Sequence, residues 1–359
     1  MAIPTLDGVT AKTIPSARIT TRVLFTGPDN GVPVLFIHGN ASNATYWEAT
    51  MLALPVATQG SRGFRGIALD QRGYGEADLA VKIDATRGMG DFADDAVALL
   101  DALGIERAHV VGHSLGGAVI WRLIMDYAPR LISTTLVNPG APFGFGGTKD
   151  LAGTPCNPDC AGSGGGVVNP EFARLMGEGY RGTEDPQASP RVVMNSFYWK
   201  PPFVPEREEA YLSGLLAQHV GPQDYPGDSV PSDNWPNVAP GVFGPINACS
   251  PKYLKPIKYL YAADPKPPVL WVRGSDDQIV SDSSFFDLGT LGSLGFVPGW
   301  PGLEAYPPQP MVGQTRAVLE QYAAAGGSFE EVIIEETGHS PYIERPAVFN
   351  AVFHKFLAE

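Results

Sequence analysis

Apolar residues along this chain follow two periodicities that take turns. Residues 18–25, 32–37, 66–69, 107–111 and 134–137 form short alternating or apolar runs bounded by Gly, Pro, His or Asp, the pattern of buried strands. Between them, 44–54, 91–103 and 118–127 carry apolar residues at helical spacing, the second opening at Gly90 or Asp91 and closing at Gly104. Strands alternating with helices predict an α/β protein with a mostly parallel sheet covered on both faces, because parallel neighbours need crossover connections. The alternation stops near Gly140 and resumes with a strand at 268–273, a helix at 312–324, a strand at 331–335 and a helix at 346–357. The stretch between is rich in Gly, Pro, Asn and Asp, with short helical patterns such as 170–178 and 206–217. Its aromatic residues, among them Phe197, Tyr198, Trp199, Tyr211 and Phe243, give it material to bury and predict an ordered insert. The expected organisation is one catalytic domain built from 1–142 and 266–359, carrying an inserted cap at 143–265.

Candidate chemistry sits at the strand ends. Gly112-x-Ser114-x-Gly116 lies where a buried strand meets an apolar helix, the context that makes this pattern informative. A sharp turn there, flanked by small residues, pushes the serine hydroxyl outward at the carboxyl edge of the sheet, beside the free N–H groups of the following helix. A serine hydroxyl is a poor nucleophile at neutral pH and needs a base, oriented in turn by an acid. Of the six histidines, His109 lies in a strand, His113 beside the serine, His219 in the insert, His354 on the closing helix and His38 in an early loop. His339, in Thr337-Gly338-His339-Ser340-Pro341, follows a strand at the same sheet edge and is the candidate base. The acid should come from a strand end between serine and histidine. Asp276 and Asp277 both qualify, whereas the strand end at Val137 is followed by Asn138-Pro139 and has no carboxylate.

With these pieces in this order, the chain resembles the α/β-hydrolase superfamily over residues 18–142 and 266–359, in the branch with a His-Gly-x oxyanion loop. His38-Gly39-Asn40 resembles that loop, Asp70-Gln71-Arg72-Gly73-Tyr74-Gly75 the Asp-x-Arg-Gly-x-Gly turn, and Gly112 to Gly116 the nucleophile elbow. Gly274-x-x-Asp277, with Ile279-Val280 shortly after, resembles the acid loop, and Gly338-His339-Ser340-Pro341 with Glu344-Arg345-Pro346 the histidine loop and last helix. The resemblance implies Ser114 as nucleophile, His339 as base, Asp277 rather than Asp276 as acid, and the backbone N–H groups of Leu115 and Asn40 as the oxyanion hole. It implies supporting roles for His38, Asp70 and Arg72, no metal and no organic cofactor. The expected reaction is cleavage of a carboxylic ester or lactone through an acyl-enzyme. Haloalkane dehalogenases and epoxide hydrolases of the superfamily carry a carboxylate where Ser114 stands and are set aside. Haloperoxidase-like perhydrolysis and C–C bond hydrolysis use similar triads, and a slow-turnover ligand receptor of this fold is the alternative outside catalysis. The insert is longer than the helical cap common in this branch, and a further stretch around 285–300 with Phe285, Phe286, Phe296 and Trp300 either lines the pocket mouth or packs as a loop on the cap.

Composition narrows the partners. At 359 residues, 44% hydrophobic and 18% charged, the chain can bury a large core. A net charge of −13 argues against nucleic acid, whose phosphates select clustered Lys and Arg. The expected partner is a small molecule with an apolar portion. No run reaches membrane-spanning length and 1–17 lacks the pattern of a secretory signal, so the cytoplasm is the default location. Cys156, Cys160 and Cys249 fit neither a disulfide scaffold nor a zinc site; they read as free thiols, with a local Cys156–Cys160 disulfide as the alternative for an exported protein.

Overall fold

The computed structural model describes residues 4–58 and 62–359. Eight strands form the main sheet: β1 (Thr10–Pro15), β2 (Thr20–Thr26), β3 (Val32–Ile37), β4 (Phe64–Leu69), β5 (Ala108–His113), β6 (Leu131–Val137), β7 (Val269–Gly274) and β8 (Phe329–Ile334). Their spatial order is β1-β2-β4-β3-β5-β6-β7-β8. The β1–β2 and β2–β4 pairs are antiparallel and all other neighbours parallel. The helices include α1 (Glu48–Leu52), α2 (Gly90–Ala102), α3 (Leu115–Tyr127), α4 (Pro170–Gly177), α5 (Pro190–Phe197), α6 (Glu208–Leu216), α7 (Met311–Ala324) and α8 (Pro346–Ala358).

The apolar runs are continuous because both sheet faces are covered. In β3, Leu35 and Ile37 join Phe92 of α2 and Val119 and Ile120 of α3 in one core, while Val34 and Phe36 join Phe349 and Phe353 of α8 in the other. In β7 the same alternation sends Val269 and Trp271 one way and Leu270 and Val272 the other. Since β3 lies between β4 and β5, the winding of the sheet reverses there, the position outside whose carboxyl strand ends open α/β sheets bind ligands. The parallel strands β5, β6, β7 and β8 all point their carboxyl ends to that edge, bringing Ser114, Asn138, the 275–280 loop and the 335–340 loop to it.

Some elements differ from expectation. The patterned helix at 44–54 divides into a 3-10 turn (Ala44–Trp47), capped by Asn43 accepting the Thr45 N–H at 3.1 Å, and α1. The helix expected from 118 starts at Leu115. Strand β1 was not predicted; as a largely exposed edge strand it carries no buried face for a pattern to reveal. Between β6 and β7, the 170–178 and 206–217 patterns become α4 and α6, and α5 is an additional helix opened by Ser189 and Pro190. These three pack on one another around Met194, Trp199, Tyr211, Leu212 and Leu215, and α6 lies against the 44–47 turn. The three cysteines are free thiols. No helix of the described residues is long and apolar enough to cross a membrane.

Candidate active site

Ser114 occupies the turn from β5 into α3 with φ 54° and ψ −117°, a conformation that costs a non-glycine residue about 1–3 kcal/mol. Backbone bonds impose it. The Ser114 N–H donates to the Val137 carbonyl at 3.0 Å, and its carbonyl accepts from the N–H groups of Gly117, Ala118 and Gly140 at 2.9, 3.1 and 2.8 Å. The flanking glycines are steric requirements. A Cβ at Gly112 would lie 2.3 Å from the Gly116 carbonyl oxygen, and one at Gly116 would lie 2.3 Å from that of Ile37. The early loop also approaches closely, since a Cβ at Gly39 would lie 3.0 Å from the Ser114 Cβ.

His339 and Asp277 meet at the same edge. His339 Nδ1 lies 2.8 Å from Asp277 Oδ2, with both residues buried. The other carboxylate oxygen, Oδ1, accepts the N–H groups of Ile279 and Val280 at 2.8 and 3.1 Å, so the aliphatic pair after the acid fixes its orientation through its backbone. A carboxylate can only accept, so Nδ1 carries the proton and Nε2 is left as the lone-pair nitrogen. Asp276 turns away to Lys200 at 3.1 Å, and the Ser275 hydroxyl together with Lys200 holds its carboxyl below the usual range. The structure therefore joins Asp277, not Asp276, to the imidazole. Among the described residues Ser114 Oγ makes no hydrogen bond. Nucleophile–base bonds in ligand-free sites are often long and tighten with substrate.

Two residues to which the sequence assigned no role brace this pair. His113 Nε2 donates to the His339 carbonyl at 2.7 Å, and the two rings lie 4.5 Å apart. Burial, reinforced by His339 nearby, pushes the pKa of His113 well below its ordinary value and keeps the ring neutral. Asn138, at φ 38°, donates through Nδ2 to the carbonyls of Gly338 (3.2 Å) and His339 (2.7 Å), while its Oδ1 accepts the Gly274 N–H at 3.1 Å. A signal existed in the sequence: Asn138 follows β6, which lies between the strand leading to Ser114 and the strand leading to Asp277, where a side chain can reach the loops on either side. Glu344 adds an outer tie, accepting the N–H groups of Gly338 and Lys200 at 2.8 Å each, and its burial raises its pKa.

Neither the Asn40 N–H nor the Leu115 N–H donates a hydrogen bond among the described residues, which leaves both donors open beside the Ser114 turn. The loop bearing Asn40 is anchored from below by His38, whose buried Nε2 accepts the Gln71 N–H at 3.0 Å, while Gln71 Nε2 donates to the His38 carbonyl at 2.7 Å. Asp70 accepts the N–H groups of Ala44 and Glu76 at 2.9 Å each, and Arg72 pairs with Asp95, so these two stabilise turns away from Ser114. No group of three or more His, Cys, Asp or Glu among the described residues is arranged to hold a metal ion.

The sequence model of the alpha/beta hydrolase family matches residues 34–352, nearly the whole chain. The chain belongs to the alpha/beta hydrolase family. Over 110 residues it is 36% identical to the 2-hydroxy-6-oxo-6-phenylhexa-2,4-dienoate hydrolase of Comamonas testosteroni, covering 31% of the chain and 37% of that protein. Over 116 residues it is 33% identical to the non-heme chloroperoxidase of Streptomyces lividans, covering 32% of the chain and 39% of that protein. The aligned stretches thus span less than half the length of these relatives. The crystal structure of carboxylesterase CesB from Bacillus subtilis superposes with a TM-score of 0.55 at 18% identity, covering 97% of this chain and 91% of that one, a likeness of fold.

Proposed function

We propose that this protein is a serine hydrolase that cleaves a carboxylic ester or lactone. The observation that carries this reading is the buried 2.8 Å His339–Asp277 hydrogen bond at the sheet edge where Ser114 is held in its strained turn. Ser114 Oγ attacks the carbonyl carbon and gives its proton to His339 Nε2, while Asp277 stabilises the imidazolium through Nδ1–H. The N–H groups of Asn40 and Leu115 receive the oxyanion, each contributing about 3 kcal/mol to the transition state. His339 then protonates the leaving alkoxide, and a water deprotonated by His339 releases the acid and regenerates Ser114. The 143–265 segment acts as the cap that shapes the pocket, supported by its packing on the 44–47 turn. The small-molecule substrate carries an apolar group.

The test uses a panel of p-nitrophenyl esters and bulky lactones, with a fluorophosphonate as covalent probe. Multiple turnover is expected, with a single adduct on Ser114 and no adduct or activity in Ser114→Ala. An active protein that takes up no label would overturn the mechanism, and a single stoichiometric turnover would favour the receptor reading. The dienoate-hydrolase relative gives C–C bond hydrolysis as a second reading, checked by including a ring-cleavage dienoate in the panel.

A further inference from the structure

Ala41, directly after the oxyanion-loop residue Asn40, has φ 45° and is buried. This left-handed conformation is disfavoured for alanine and relaxes unless neighbours hold it. Two side chains from the segment between β6 and β7 do so. Gln218 Oε1 accepts the Ala41 N–H at 3.1 Å, and the Tyr198 hydroxyl donates to the Ala41 carbonyl at 3.0 Å, with the Asn40 carbonyl at 3.3 Å. Both groups are themselves fixed. Gln218 Nε2 donates to the Gly73 carbonyl at 3.1 Å, and the backbone around it is tied to the same turn through Gly75 N–H to the Ala217 carbonyl (2.9 Å) and His219 N–H to the Gly73 carbonyl (3.0 Å). Tyr198 is buried in the aromatic cluster with Tyr46 and Trp199. The Asn40 side chain is held from the opposite side by the Tyr74 hydroxyl at 2.9 Å. The Asn40 carbonyl and side-chain oxygen are thus both engaged, whereas its backbone N–H donates to no group among the described residues.

We infer that Gln218 and Tyr198 are positioning residues for the oxyanion hole: they clamp Ala41 in its left-handed conformation and so aim the Asn40 N–H at the reacting oxygen. The inference rests on the serine-hydrolase reading. It makes the inserted segment a structural part of the catalytic machinery, beyond covering the pocket. A donor that matters only when the oxyanion forms contributes to kcat and to binding of transition-state analogues, and little to KM.

The experiment measures kcat, KM and inhibition by a trifluoromethyl ketone for Gln218→Leu and Tyr198→Phe, each alone and combined with Ala41→Gly. Tyr198→Phe keeps the ring in its cluster and provides a folded variant if Gln218→Leu does not fold. The expected result is a loss in kcat of about tenfold to a hundredfold with a matching loss of ketone affinity and KM within about twofold. Ala41→Gly, which removes the conformational penalty, should recover about fivefold of the lost kcat in either background. Unchanged kcat, a rise in KM alone, or a loss that Ala41→Gly does not reduce would each overturn the clamp. Fluorophosphonate labelling of Ser114 in the unaltered protein separates the two failures. With the label on Ser114, any of those results counts against the clamp alone; an active protein without the label counts against the serine mechanism.

Discussion

Acid should destabilise this protein through His38, and the size of the effect follows from the surroundings of its ring. The ring is 1% exposed. The Gln71 N–H can only donate, so His38 Nε2 must be the acceptor of their 3.0 Å bond, and the proton resides on Nδ1, 2.8 Å from the Gly39 carbonyl. Protonating Nε2 would set N–H against N–H in a buried place. Burial accordingly lowers the pKa from 6.5 to about 4, although the Gly39 hydrogen bond opposes the shift. Between those values the unfolded chain binds a proton that the folded chain refuses. His38 therefore has no effect on stability above pH 6.5; stability falls as pH drops below it, and the loss is complete near pH 4. At about 1.4 kcal/mol per pH unit the total is about 3 kcal/mol. His109, lowered to about 4 by burial and by Arg107, and His113 add losses of the same sign, so the comparison must be with His38→Gln. Its amide oxygen can still accept from Gln71 but does not titrate. Urea unfolding followed by tryptophan fluorescence between pH 7.5 and 4.5 should give the variant a slope shallower by about one proton. Parallel profiles for the two proteins would refute the reasoning.

Asp277→Asn should lower kcat about ten-thousandfold by fixing the wrong imidazole tautomer, whereas Asp276→Asn, which breaks only a half-exposed pair with Lys200, should stay within about threefold; ester hydrolysis at saturating substrate checks both. Gly116→Ala should lose about 3 kcal/mol or more of stability, because the new methyl meets the backbone carbonyl of Ile37 at 2.3 Å; a thermal midpoint equal to the unaltered protein's would contradict that close approach. EDTA should leave ester hydrolysis unchanged, because the proposed nucleophile is a side-chain hydroxyl; abolition by EDTA and recovery with zinc would point to a metal-bound hydroxide instead.

The sheet was legible because burial on both faces writes continuous apolar runs into β3, β5 and β7. Ser114 and its glycines were legible because close backbone approach permits no other residues beside the turn. His339 and Asp277 were found at strand ends, and the choice between Asp276 and Asp277 needed the family pattern, since spacing alone allows either. Asn138, Gln218 and Tyr198 escaped. Their partners lie far along the chain, Gln218 at 177 residues from Ala41 and Asn138 at 201 from His339. No local periodicity encodes such contacts. Strand β1 escaped because an exposed edge needs no apolar pattern.

The Asn138 amide has a mechanical consequence. Its oxygen holds the Gly274 N–H and its nitrogen the Gly338 and His339 carbonyls, so a single side chain links the loop bearing Asp277 to the loop bearing His339. His113, the residue before Ser114, bonds the same His339 carbonyl at 2.7 Å, so the ends of three neighbouring strands, β5, β6 and β7, share one hydrogen-bonded frame with the histidine loop.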